Sequence, residues 1–154
     1  MKFINLYVEF EGHSKSFEFD EKNLIFSQTN SVGKSTLLRL LFFSLGYSVP
    51  GTKKFKFYDC YTKVLIKKDT SVIEIERTKD IVKLTIDNKY SNQFIIPQQE
   101  CELLSLIWGT ENTSILKNIL GAIYFDQEKG WTLLNRGKVI GNIQFNIDEL
   151  IRGL

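Results

Sequence analysis

Cysteine and histidine are scarce in this 154-residue chain: Cys60 and Cys101 are the only thiols and His13 the only imidazole. Two cysteines far apart in sequence make neither a disulfide framework nor a CxxC metal motif, and they fit a reducing cytoplasm. A single histidine leaves a zinc site or a Ser-His-Asp triad without identifiable partners. An excess of one charge is lacking too, because 20 basic and 18 acidic side chains leave a formal +2. No global field therefore draws the chain to nucleic acid, and DNA contact would have to rest on local patches. The longest apolar run, Leu37 to Leu45, is interrupted by Arg39 and Ser44 and falls well short of the roughly 20 residues that cross a bilayer. With Asn5 and Glu9 inside its apolar stretch, the N-terminus has no signal-peptide progression, so a cytoplasmic protein with no membrane partner is expected.

What is present describes an ordinary globular unit. The 43% hydrophobic and 25% charged residues can supply a core, and the length predicts a single lobe over 1–154. Ile4, Leu6, Val8 and Phe10 alternate with Asn5, Tyr7 and Glu9, predicting a strand from Lys2 to Phe10 with one buried face. After Gly12-His13-Ser14, Phe17 and Phe19 flank Glu18 in the same alternation, which predicts an antiparallel partner. Asn23-Leu24-Ile25-Phe26 is a short continuous apolar run, the pattern of a strand covered on both faces. It leads through a polar loop, Ser27 to Val32, into a helix from about Ser35 to Leu45 with apolar residues around nearly its whole circumference, predicting burial, and with Gly46 as its C-terminal stop.

Beyond a basic loop from Ser48 to Asp59, a β-rich middle is expected: Lys63 to Lys67, Val72 to Arg77 and Ile81 to Ile86, followed by a turn at Asp87-Asn88-Lys89. Gln98 to Trp108 and Ser114 to Leu120 read as helices. Asn146 and Glu149 make a capping arrangement for a last short helix starting at Ile147, which is marginal without packing against something else. Lys53, Lys54, Lys56, Lys63, Lys67 and Lys68 form a basic stretch, read as solvated lysines with DNA phosphate contact as the alternative. For Arg77, at a strand end, an ion pair with a neighbouring acid is expected, with contact to nucleotide or DNA as the alternative.

The chemistry is concentrated in Ser27-Gln28-Thr29-Asn30-Ser31-Val32-Gly33-Lys34-Ser35-Thr36. A phosphate-binding loop needs main-chain N–H groups converging on phosphate oxygens, a helix N-terminus behind them, a lysine for the outer phosphates and a hydroxyl for Mg²⁺. Gly33-Lys34-Ser35 between a polar loop and a helix supplies these in order, and Asn30, Ser31, Val32, Gly33, Lys34, Ser35 and Thr36 are the candidate nucleotide-binding residues. Gln28 stands where such loops place their first glycine, so that end of the loop closes without glycine's freedom. The other reading is a capped helix with Lys34 as a solvated charge.

With those residues in place, the chain resembles the N-terminal half of ABC-type ATPase heads of the structural-maintenance-of-chromosomes and double-strand-break-repair group, including bacterial defence relatives. Asn30, Gly33, Lys34 and Ser35 match the loop of that group, while Gln28 and Ser31 occupy two of its glycine positions. The resemblance implies an α/β P-loop NTPase lobe with an antiparallel β-subdomain. It also implies ATP and Mg²⁺ as ligands, Ser35 as a Mg²⁺ ligand, and Thr36 assisting at the α-phosphate. Partners follow from it as well: the C-terminal half of the head, a second head in a dimer, and DNA.

By the same resemblance Gln127, after the apolar Ile123-Tyr124-Phe125, is the Q-loop glutamine that contacts Mg²⁺ and the attacking water. Asp126 and Glu128 also imitate a Walker B strand, and a plain surface turn is a third reading of the segment. No signature sequence, switch histidine or heptad-rich coiled coil is visible, so binding without efficient turnover is expected of this chain. The competing functions are a self-contained P-loop phosphoryl-transfer enzyme or NTPase, using Asp126 and Glu128, and a non-enzymatic assembly module that self-associates through exposed apolar surface.

Overall fold

The computed structural model describes residues 1–26, 33–49, 55–116, 118, 125–126, 130–131 and 151. Its main feature is one six-stranded sheet: β1 (Lys2–Phe10), β2 (His13–Glu18), β3 (Tyr61–Lys68), β4 (Ser71–Thr78), β5 (Ile81–Ile86) and β6 (Tyr90–Ile95). The spatial order is β2-β1-β3-β4-β5-β6, and every neighbouring pair runs antiparallel. A separate two-stranded ladder pairs β7 (Phe125–Asp126) with β8 (Gly130–Trp131).

Local chemistry explains the meander. Tight turns join β1 to β2, β3 to β4 and β4 to β5, and their corners at Glu11, Asp69 and Lys79 lie at positive φ, between 50° and 55°. Such corners match the right-handed twist of hairpins. Along the strands, period-two alternation puts Leu6 and Val8, Val64 and Ile66, Ile73 and Ile75, Val82 and Leu84, and Phe94 on one face, all buried. The other face carries Lys63 beside Glu74 (2.8 Å), Lys83 beside Glu76 (3.2 Å) and the Tyr61 hydroxyl donating to Glu76 (2.7 Å). A polar, ion-paired outer face is what an antiparallel sheet leaves when only one side is covered.

The covering layer is helical. Helix α1 (Lys34–Ser44) lies against β3 and β4, and α2 (Glu100–Trp108) against β6. Leu40, Leu41, Phe43 and Leu45 from the first join Leu103, Leu104 and Ile107 from the second in the same core as the sheet. Just ahead of β3, Phe57 packs 5.9 Å from Phe43 and Phe55 packs 4.9 Å from Phe10, centroid to centroid.

This architecture corrects the fold-class expectation. An α/β P-loop NTPase lobe of the ABC-type head is built on parallel strands, whereas here all five ladders of the main sheet are antiparallel. The Asn23 to Phe26 run, expected as the strand that feeds the phosphate loop, is not a strand: its backbone is irregular, and Leu24 and Phe26 are 84% and 77% exposed. The physical reason is occupancy. β1 already has β2 on one side and β3 on the other, so no ladder position beside it remains.

Three smaller differences follow. Helix α1 is buried only toward its C-terminal half, with Leu38 exposed near its start. β6 lies where only a connection is expected, because Phe94 is its one buried residue and the adjacent Ile95 is apolar but exposed, so no alternation marks the strand. Helix α2 starts at Glu100, two residues after the expected Gln98. The expected last helix from Ile147, with Asn146 and Glu149, lies outside the described residues apart from 151, which is helical.

Candidate functional site

Gly33 begins the site. It is the N-cap of α1 and sits at φ 90°, in the left-handed region where an L side chain is strained. Its main-chain carbonyl accepts the Leu37 N–H at 2.9 Å, closing the first helical turn. A β-carbon added there would have no atom of the described residues within 4 Å, so the glycine answers to backbone conformation. Lys34, Ser35 and Thr36 are then the first three helical residues, with Gly33 and Ser35 exposed and Lys34 and Thr36 half-buried. No acidic side chain occupies this first turn, and among the described residues no side chain caps it. The N-terminus of an 11-residue helix carries partial positive charge from the aligned peptide dipoles, to which Lys34 adds a full one, so the end attracts anions.

At its other end α1 is anchored. Gly46 at φ 102° lets the Gly46 N–H reach the Phe43 carbonyl (3.0 Å) and the Tyr47 N–H reach that of Phe42 (3.3 Å), a Schellman closure. A β-carbon on Gly46 would lie 2.6 Å from Leu103 Cδ2, so close approach of α2 needs the glycine as well. Arg77, 4% exposed on β4, donates Nη1–H to the carbonyls of Phe43 (2.6 Å) and Tyr47 (3.0 Å) and Nε–H to that of Lys79 (3.0 Å). Its guanidinium stacks 3.8 Å from the centre of the Phe43 ring. Burial pulls its pKa down to about 10, with Asp80 and Glu100 opposing, so it stays charged at neutral pH. Arg77 thus binds the carbonyl end of α1, a role that the ion-pair expectation did not contain. The signal lay in parity: residue 77 shares the core face with Ile73 and Ile75.

The other candidate residues divide cleanly. Gly33, Lys34, Ser35 and Thr36 are brought together at the start of α1. Asn30, Ser31, Val32, Gln28 and Gln127 lie outside the described residues, as does Glu128, while Asp126 is described only as part of β7. Of the basic stretch, Lys63 pairs with Glu74, and Lys68 donates to the Ile107 carbonyl at the end of α2 (2.9 Å). Lys53 and Lys54 lie outside the described residues. His13 is exposed on β2, its Nδ1 3.1 Å from the Glu11 carbonyl oxygen. Trp108 donates its indole N–H to the buried Tyr47 hydroxyl (2.8 Å).

The chain matches no family model and no curated protein. Its site therefore has to be read from its own chemistry. Among the described residues no group of three or more His, Cys, Asp and Glu side chains is placed to hold a metal ion, and no helix is long and apolar enough to cross a membrane. Both cysteines are free, and burial pushes the Cys60 thiol up to about 11. A cavity of about 280 Å³ opens beside the β1 irregularity at Ile4, lined by Asn5, Glu18, Phe19, Asp20 and Asn23. Asn23 closes on the Asp20 backbone through two 2.9 Å bonds and Asn5 donates to Ser16 (2.8 Å), so its amides already have partners.

Proposed function

We propose that this chain binds Mg-ATP at the head of α1. In this reading the main-chain N–H groups of Asn30 to Ser35 hold phosphate oxygens and the Lys34 ammonium neutralises the outer phosphates. The Ser35 hydroxyl and Gln127 bind Mg²⁺, and Thr36 assists at the α-phosphate. The observation that carries it is Gly33 in the left-handed conformation, setting Lys34, Ser35 and Thr36 as a first helical turn free of acidic side chains. Binding without efficient turnover is assigned to the chain itself. Hydrolysis and action on DNA belong to a larger cytoplasmic assembly that adds the missing catalytic groups from a C-terminal partner and a second copy.

The test is calorimetric titration of Mg-ATP into the chain and its Lys34→Ala variant, with phosphate release followed in parallel. Lysine-dependent binding with little release is expected. Equal binding by both proteins would remove the loop from the reading, and rapid release would replace it with a self-contained NTPase. A second reading, a non-enzymatic assembly module, is favoured by the exposure of Leu24 and Phe26 just before the loop. It predicts no ATP-induced shift in melting temperature and an oligomer indifferent to Lys34→Ala.

A further inference from the structure

The two edges of the six-stranded sheet are treated differently. On β6, the Ile96 N–H bonds the Asp80 carbonyl at 2.8 Å, which with the β5–β6 register turns Ser91, Gln93 and Ile95 outward. Two of these outward donors are already taken by side chains: Asn92 Oδ1 accepts the Gln93 N–H and Gln99 Oε1 the Ile95 N–H, each at 2.9 Å. Occupied donors blunt an edge against pairing.

On β2 the opposite holds. The Phe19 N–H bonds the Ile4 carbonyl at 2.9 Å, so by register His13, Lys15 and Phe17 face β1 while Ser14, Ser16 and Glu18 turn their main-chain groups outward. Among the described residues no side chain takes those three N–H groups. We propose that β2 is the pairing edge for a second copy of this chain, joined antiparallel about a two-fold axis at Ser16, so that two sheets become one with both helical layers on the same side. This inference is independent of nucleotide binding.

Register selects the arrangement. With Ser16 opposite Ser16 of the second copy, Ser14 faces Glu18, and all three outward residues pair among themselves. Lys15 then faces Phe17, a contact whose chemistry the chain already uses, since Lys15 Nζ lies 5.1 Å from the centre of its own Phe17 ring. Sliding one way sets Lys15 against Lys15, which repels, and sliding the other sets Ser14 against Asp20, beyond the end of the strand.

Sedimentation equilibrium across a concentration series is expected to show a monomer–dimer equilibrium. Ser16→Pro should shift it to monomer yet keep the fold, because the lost N–H points away from β1 and the only other loss among the described residues is the exposed Asn5-to-Ser16 bond. Its melting temperature should therefore lie close to the parent's when both are measured at a concentration where the parent is monomeric. If Ser16→Pro fails to fold, Ser16→Lys sets two like charges opposite each other and should weaken the dimer in a salt-dependent way. On a Cys101→Ser background, Ser16→Cys should form an intermolecular disulfide under oxidation and Ser14→Cys should not. The hydrogen-bonded pair at the axis would hold its Cα atoms about 5.5 Å apart, within bridging range. A chain that stays monomeric, a dimer that survives in folded Ser16→Pro, or equal cross-linking of both cysteine variants would overturn the proposal.

Discussion

Thr62 illustrates how much one buried atom can matter. It lies on β3 opposite Arg77 and Val8, fully buried, and its Oγ1 has no hydrogen-bond partner among the described residues. Burying a hydroxyl without a partner costs about 1–3 kcal/mol, and replacing it with a methyl group of the same shape removes that cost. Thr62→Val is therefore expected to raise stability by roughly 1 kcal/mol, read as a higher urea midpoint at unchanged m-value. A lower midpoint would mean that the hydroxyl is paired after all. Thr62 shares the core-face parity of Val64 and Ile66, so its burial, like that of Arg77, is legible in the alternation. Its lack of a partner is not, because that depends on which atoms neighbouring strands bring near.

At the scale of elements, α1 is held from its carbonyl end rather than by propensity. Eleven residues are a marginal helix in isolation, and its last turn contains no basic residue of its own. Arg77 supplies the missing positive charge from β4, where it complements the negative end of the helix dipole and satisfies the Phe43 and Tyr47 carbonyls. Arg77→Met, which keeps much of the apolar packing, is expected to cost about 3 kcal/mol by leaving those carbonyls buried without their charged donor. Arg77→Lys should recover only part of this, since an ammonium cannot reproduce the planar fork that reaches three carbonyls. Thermal melts of the pair test it; two variants within experimental error of the parent would show that the guanidinium is not what closes α1. Lys68 does the same for α2 through the Ile107 carbonyl, so both covering helices borrow their C-terminal cation from the sheet.

The whole molecule should respond to pH on two sides. The Tyr61 hydroxyl, then Lys83, hold the Glu76 carboxyl below its ordinary value, and the Val72 N–H and Ser71 hydroxyl do the same for Asp87. Carboxylates depressed in the folded state add stability above the unfolded pKa and lose it as pH falls, so the acid limb opens below about pH 4.5. On the alkaline side burial raises the Tyr47 and Tyr61 phenols and moves the Cys60 thiol from 9.0 to about 11. Here the folded chain keeps protons that the unfolded chain releases, so stability falls as pH rises through 9 and beyond. Urea midpoints measured from pH 3 to pH 11 should therefore trace a dome with a neutral plateau. A Glu76→Gln variant should flatten part of the acid limb, and an unchanged limb would show that Glu76 does not contribute to it.

Much of this architecture was determined locally. The β1 span, the three hairpin strands from Tyr61 to Ile86 and the Gly46 stop follow from period-two alternation and turn chemistry, interactions that act within a few residues. So does the Gly33-Lys34-Ser35-Thr36 helix start, whose backbone demand only glycine meets without strain. What only the tertiary structure decided is which segments become neighbours. Asn23 to Phe26 has the composition of a buried strand, yet β2 and β3 had filled both sides of β1, and a four-residue run cannot displace a hairpin that pays almost no loop entropy. β6 joined the sheet on one buried phenylalanine because β5 offered it a free edge. Strand pairing is settled by competition among edges across the whole chain, and a local pattern records only which face of a strand is buried.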